Sequence, residues 1–164
     1  REIWPTDCDF VYALSQEPSV RASSIHPETF TIEQHREWFA RKMEENRTTS
    51  RWFILEEELR NPIGQIRYDR VVKGRPPWTG GPIAEEDGGA EVSVSLIPAA
   101  RSMGVGRALL MRTIDPAKKM LGVSTLVALI RKDNAGSVKA FEAVGYKRVG
   151  EETRNGVELW RYET

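Results

Sequence analysis

Cysteine is nearly absent from this chain of 164 residues: Cys8 stands alone. One cysteine excludes an internal disulfide and a structural zinc site built from cysteines. Histidine is scarce as well, and His26 and His35 alone leave little for a metal cluster, so no metal is expected. The cytoplasm is the expected location. No apolar run approaches the roughly 20 residues that a spanning helix needs, so no membrane association is expected. The start, Arg1-Glu2-Ile3-Trp4-Pro5, has neither Met nor the apolar core of a signal peptide, and it suggests a trimmed chain or a domain cut from a longer one. A charge surplus is missing too. The 24 Lys+Arg balance 24 Asp+Glu, without the basic excess that nucleic-acid binding uses, so no nucleic-acid partner is expected. What remains is an ordinary globular mix, 40% hydrophobic and 29% charged, at the length of one domain over 1–164.

Local patterns divide the chain. Asp7 can cap a helix through Leu14, and Pro18 is expected to end that region. Thr31 and Gln34 have capping-box spacing, and Ile32, His35, Trp38/Phe39 and Met43 then recur at helical period. Arg51 to Glu57 reads as a strand. Arg60-Asn61-Pro62 is a turn, and Ile63 to Val72 reads as the next strand. Lys73 to Gly89 reads as loop, with Pro76, Pro77, Pro82 and five glycines. A connection that long is expected to be functional or mobile. Glu91 to Ile97 reads as a strand closed by Pro98. Gly104 to Met120 reads as a helix that Pro116 should kink or shorten. Ser124 to Ile130 reads as a buried strand, Ser137 to Val144 as a helix capped by Ser137, and Tyr146 to Gly150 as a strand. Asn155-Gly156 then makes a hairpin turn into Val157-Glu158-Leu159-Trp160. This order implies an α/β (α+β) fold with a mixed sheet and helices on its faces.

The segment with most chemical content is Arg101-Ser102-Met103-Gly104-Val105-Gly106, between a strand and a helix. Glycine permits close backbone approach and left-handed angles. Several amides then point at one place beside the positive end of a helix, where a diphosphate is favoured. Arg101 and Arg107 add charge. A Rossmann loop does not fit, because Leu109 stands where its third glycine would be. A P-loop does not fit either, because no Gly-Lys-Ser/Thr follows.

The stretch from Ala90 to Gly150 resembles the GNAT acetyltransferase family. The family motif Arg/Gln-x-x-Gly-x-Gly/Ala stands at 101–106. Its downstream signature stands as Asn134-Ala135-Gly136-Ser137, Phe141 and Gly145-Tyr146. The resemblance implies a mixed, mostly antiparallel sheet of six to seven strands with a V-shaped cofactor cleft. Acetyl-CoA would lie between the strands at 91–97 and 124–130. Leu96 and Ile97 would pair with the pantetheine arm. The loop residues Ser102, Met103, Gly104, Val105, Gly106 and Arg107 would hold the pyrophosphate, with Asn134, Ser137 and Phe141 further along. Glu91 is the candidate general base, against the plainer reading of a strand-edge carboxylate in solvent. An amide near Leu96 or Ile97 is the expected oxyanion donor. Many family members carry a Tyr where Phe141 stands, so the general acid is open. Tyr146 is the available phenol, although its position usually packs in a core.

The amino-terminal half resembles a GNAT branch that acetylates nucleotide-linked aminosugars of pseudaminic or legionaminic acid synthesis. That resemblance implies His35, Trp38, Gln65 and Arg67 near a small-molecule amine. The branch often carries Arg-Asn where Ser15-Gln16 stands here. Core packing is the plainer reading of His35 and Trp38. Two alternatives remain: acetylation of a protein or peptide amine, with Arg75 and Trp78 of the long loop lining a groove, and an acyl-CoA sensor without turnover. A homodimer through the carboxy-terminal strands is a further expectation.

Overall fold

A computed structural model describes residues 1–26, 28–71 and 89–164. The expected loop, with Arg75 and Trp78, therefore lies outside the described residues except for Gly89. Six strands form one sheet: β1 Ser50–Glu56, β2 Pro62–Arg70, β3 Ala90–Leu96, β4 Leu126–Arg131, β5 Lys147–Arg154 and β6 Val157–Glu163, in the order β1-β2-β3-β4-β6-β5. All neighbours are antiparallel except β3 and β4. That parallel pair is joined at only two register positions, Ala90 with Leu126 and Glu91 with Val127. Beyond Glu91 the two strands pair no further, which gives the expected opening.

Helices cover both faces. α4, Val105–Leu121, and α5, Ala135–Glu142, bury Leu110, Ala117, Leu121 and Phe141 against Ile66, Tyr68, Val92 and Ile130. On the other face α1, Cys8–Gln16, and α3, Ile32–Glu45, pack Val11 and Phe39 on Trp52 and Ile54. The alternation of side chains along β1 and β2 makes this division: Trp52 faces one core, while its neighbour Phe53 packs against the other.

Local chemistry explains most element ends. Thr31 and Gln34 form the expected reciprocal cap: the Gln34 amide donates to Thr31 Oγ1 at 3.3 Å, and the Thr31 amide donates to Gln34 Oε1 at 2.9 Å. Asn155 and Gly156 take φ of 49° and 74°, as a two-residue hairpin turn requires.

Four expectations need correction. Asp7 does not cap α1. It closes a 3₁₀ turn, Pro5–Asp7, and its carboxylate accepts from the Trp4 amide and both terminal Arg1 nitrogens. Pro18 starts a short helix, α2 Pro18–Ser23, because proline suits a first turn whose amides lack partners. Pro116 does not shorten α4, which runs on to Leu121. The carbonyl it frees belongs to Arg112, and both residues lie on the exposed side, where solvent can reach the freed group. Asn134, rather than Ser137, caps α5: its side-chain oxygen accepts from the Ser137 amide at 3.1 Å. No helix among the described residues is long and apolar enough to cross a membrane.

Candidate active site

The cofactor end is made of backbone. The first amide of α4 with a helical partner is that of Ala108, which donates to the Gly104 carbonyl at 3.0 Å. The amides of Val105, Gly106 and Arg107 precede it and have no carbonyl one turn back. Gly104 sits at the cap with φ 76° and has no side chain to satisfy them. Ser102, at φ 60°, is also left-handed, an uncommon state for a residue with a Cβ. Three donors thus gather at the positive end of a 17-residue helix, a fit for a diphosphate. Met103 and Arg107 are exposed beside them.

The first arginine of the motif has another partner. Arg101 donates from Nε and Nη2 to the Leu96 carbonyl at 3.0 and 2.8 Å, and reaches Glu17 at 3.2 Å and the Ser19 hydroxyl. Its guanidinium therefore ties the end of β3 to the start of α2 and does not stand open to phosphate, contrary to expectation.

The register of β2 and β3 sorts the strand's backbone groups. Val71 donates to the Gly89 carbonyl and Ile97 to the Ile63 carbonyl at 3.0 Å. Antiparallel pairing alternates, so odd-numbered residues from 89 to 97 bond β2, and Val92, Val94 and Leu96 turn their amides toward the opening. The Leu96 amide is thus available to a pantetheine arm or an oxyanion. The Ile97 amide is not, because Ile63 has taken it. Val94 belongs with the opening although the motif did not point to it.

Glu91 occupies the last paired position before the strands part. It faces Asp69 across the β2–β3 pair, and Arg154 at the end of β5 donates to its carboxylate at 2.7 Å. Burial pushes the Glu91 carboxyl above its ordinary range; Arg154 pulls it down, Asp69 and Glu152 add repulsion, and the net direction is up. Asp69 goes the other way. Burial would raise it, but the charges of Arg67 and Lys42, with hydrogen bonds from Arg67 and Ser50, hold it below the usual carboxylate range. Two facing carboxylates are thereby pushed apart, the arrangement that separates a proton acceptor from a fixed charge.

The same face carries three of the four expected acceptor residues. Gln65 accepts from Trp52 Nε1 at 2.7 Å, and Arg67 lies over the rings of Trp38 and Trp52. His35 does not join them. It is buried among Tyr12, Phe30, Trp38 and Phe39, its Nε2 has no partner among the described residues, and burial lowers its pKa. The plainer reading, a core histidine on an amphipathic helix, is what the fold shows.

Tyr146 and Phe141 also leave the expected site. Their rings meet edge-on at 4.9 Å within the α4/α5 core. Tyr146 is 2% exposed, its hydroxyl has no hydrogen-bond partner among the described residues, and burial with the nearby Tyr68 drives its pKa far up. A phenol whose pKa burial has driven so far up is a poor proton donor at neutral pH. Arg154 and Asp69 were missed by sequence reasoning, since pairing across distant strands leaves no local pattern. Among the described residues no group of three or more His, Cys, Asp or Glu is placed to hold a metal.

A family model described as "Acetyltransferase (GNAT) domain" matches residues 1–147. The chain belongs to the GNAT acetyltransferase family and is an acetyl-CoA-dependent N-acetyltransferase. A Bacillus subtilis (strain 168) protein named "Putative phosphinothricin acetyltransferase" is 31% identical over 131 residues, which cover 79% of this chain and 71% of the relative. Among solved structures, the spermidine N-acetyltransferase of Vibrio cholerae with CoA and spermine superposes at a TM-score of 0.80 with 18% identity, over 100% of this chain and 92% of the other. The aminoglycoside acetyltransferase AAC(6')-Ib with coenzyme A and kanamycin gives 0.78 with 14% identity, over 100% and 92%. At such identities these two show the shared fold.

Proposed function

We propose that this enzyme acetylates the primary amine of a small molecule, the amino group of a nucleotide-linked aminosugar being one member of that class, and that Glu91 accepts the proton of the attacking amine. The observation that carries this reading is the place of Glu91, at the last paired position of β3 and on the same face as Gln65, Trp38 and Arg67. Support for a small acceptor comes from the relatives, whose names refer to phosphinothricin, spermidine and an aminoglycoside.

Acetyl-CoA supplies an acetyl group activated as a thioester. The free amides of Val105, Gly106 and Arg107 suit its diphosphate, and the Val94 and Leu96 amides suit its amide-bearing arm. An alkyl amine is mostly protonated at neutral pH and cannot attack until it loses a proton. The raised Glu91 carboxylate takes that proton directly or through one water, with Arg154 fixing its orientation. The Leu96 amide stands ready for the charge that gathers on the carbonyl oxygen. Solvent is the proton source for the departing thiolate, since Tyr146 is sealed in the core. The cytoplasm fits this chemistry, and the β5–β6 edge of the sheet is compatible with a homodimer.

CoA release with acetyl-CoA and a panel of amines tests the reading. The panel holds UDP-linked 4-amino sugars, phosphinothricin, spermidine and peptides with free amino termini. Turnover confined to the small amines supports it. Turnover of peptides alone sinks the small-acceptor reading, and acetyl-CoA binding without turnover on any amine favours a sensor.

A further inference from the structure

Arg67 is held in an unusual way. Its guanidinium carbon lies 5.1 Å from the ring centre of Trp38 and 5.3 Å from that of Trp52. The two indoles pack edge to face at 5.6 Å, and Gln65 fixes the Trp52 ring through its Nε1. The Nε corner of Arg67 is tethered to Asp69 at 2.7 Å. Asp69 is itself tied to the Ser50 hydroxyl at 2.9 Å and lies 3.6 Å from Lys42, so the tether is rigid. A guanidinium has five N–H donors in one plane. One is used here, and the four on Nη1 and Nη2 meet no hydrogen-bond partner among the described residues.

A planar fork fixed at one corner, with its far edge unsatisfied, is the geometry that takes two oxygens of one anion. Arg21 and Arg154 stand near the same place: burial holds His26 below its usual pKa, and the charges of Arg154, Arg21 and Arg67 add to that against the pull of Glu28. The place suits an acceptor as well. Arg67 pairs with Ser93 and Asp69 pairs with Glu91, so Arg67 and Glu91 are diagonal neighbours on one face. Their backbones are about 7–8 Å apart. A small molecule can therefore present an amine to Glu91 and an anionic group to Arg67 at once.

We propose that Arg67 is a specificity-determining anchor, which grips a carboxylate or phosphate of the acceptor through Nη1 and Nη2 while the amine lies at Glu91. This rests on the reading of this face as the acceptor site. It narrows that site to small amines carrying an anionic oxygen group and disfavours polycations, whose charge Arg67 would repel.

The test uses matched pairs: L-alanine against L-alaninamide for carboxylate, and glucosamine 6-phosphate against glucosamine for phosphate. Binding is read from tryptophan fluorescence, since Trp38 and Trp52 flank the anchor, and this readout needs no turnover. The wild type is expected to bind the anionic member of at least one pair roughly ten- to hundred-fold more tightly. Which pair responds identifies the source of the anion. Arg67→Gln should erase that preference by weakening the anionic member alone, with acetyl-CoA affinity unchanged. Arg67→Lys keeps the charge but lacks the fork, so it should lose several-fold of the preference; it carries the test if the Gln variant does not fold. A wild type that treats both members of each pair alike overturns the anchor, as does an Arg67 variant that weakens both members equally. If anions bind through Arg67 while no amine is acetylated, the anchor stands and the small-amine reading fails.

Discussion

The two ends of the active site are built from different materials. At the α4 terminus the donors are the amides of Val105, Gly106 and Arg107, and the one arginine with a fixed place there, Arg101, is spent on Leu96 and Glu17. On the opposite side of β3 the groups proposed to work are side chains: Glu91 on Arg154, Arg67 on Asp69, Asp69 on Ser50. A backbone site needs glycine and a turn, and it tolerates almost any side chain that points away. A side-chain site depends on each partner, because one removal leaves a buried charge uncompensated. The first construction suits a donor that never changes, and the second suits an acceptor that differs between relatives.

The contrast can be broken at four points. Glu91→Gln is expected to have the largest effect. It removes the proposed proton acceptor and keeps the shape, so kcat should fall about 10²–10⁴-fold while acetyl-CoA affinity, read by titration calorimetry, stays the same. Gly104→Asp should act in the opposite sense. An aspartate there would bring a negative charge to the diphosphate, so acetyl-CoA affinity should fall about tenfold or more, and the φ of 76° should cost about 1 kcal/mol of stability. Arg154→Gln should shift pH dependence. Glu91 would then keep the burial and the repulsion of Asp69 and Glu152 without its main counter-charge. Its pKa would rise further, and the acidic limb of kcat/KM would move to higher pH with the alkaline plateau retained. Tyr146→Phe should change least. It deletes a hydroxyl that has no partner, so activity should stay within about twofold and thermal stability should hold or rise. A large loss of activity in this variant would return Tyr146 to the site.

The difference in materials also explains what could be read from the sequence. Thr31 with Gln34, Asn155 with Gly156, and the glycines of 101–106 act on residues within a few positions of themselves, so their spacing announces them. The face of α3 followed from period, which put Phe39 inside. Proline misled twice. At Pro18 its fixed φ starts a helix, and at Pro116 the bond it removes lies on the solvent side of α4. The acceptor face stayed hidden, because Arg154 and Glu91 are 63 residues apart and meet only through the folded sheet. Period placed His35 inward on its helix, and the aromatic wall around it then decided between core and ligand. Ile97 shows the finest limit: whether its amide faces the opening or β2 depends on a register that one residue's slip would reverse.

The central claim is that Glu91, held by Arg154 at the point where β3 and β4 part, takes the proton of the attacking amine. The direct test is kcat/KM against pH for the wild type and Glu91→Gln, with the best acceptor of the amine panel. The expected result is a wild-type acidic limb above the ordinary glutamate pKa of about 4.3, and a slow variant in which that limb is gone. A variant that turns over at the wild-type rate with the same limb would contradict it.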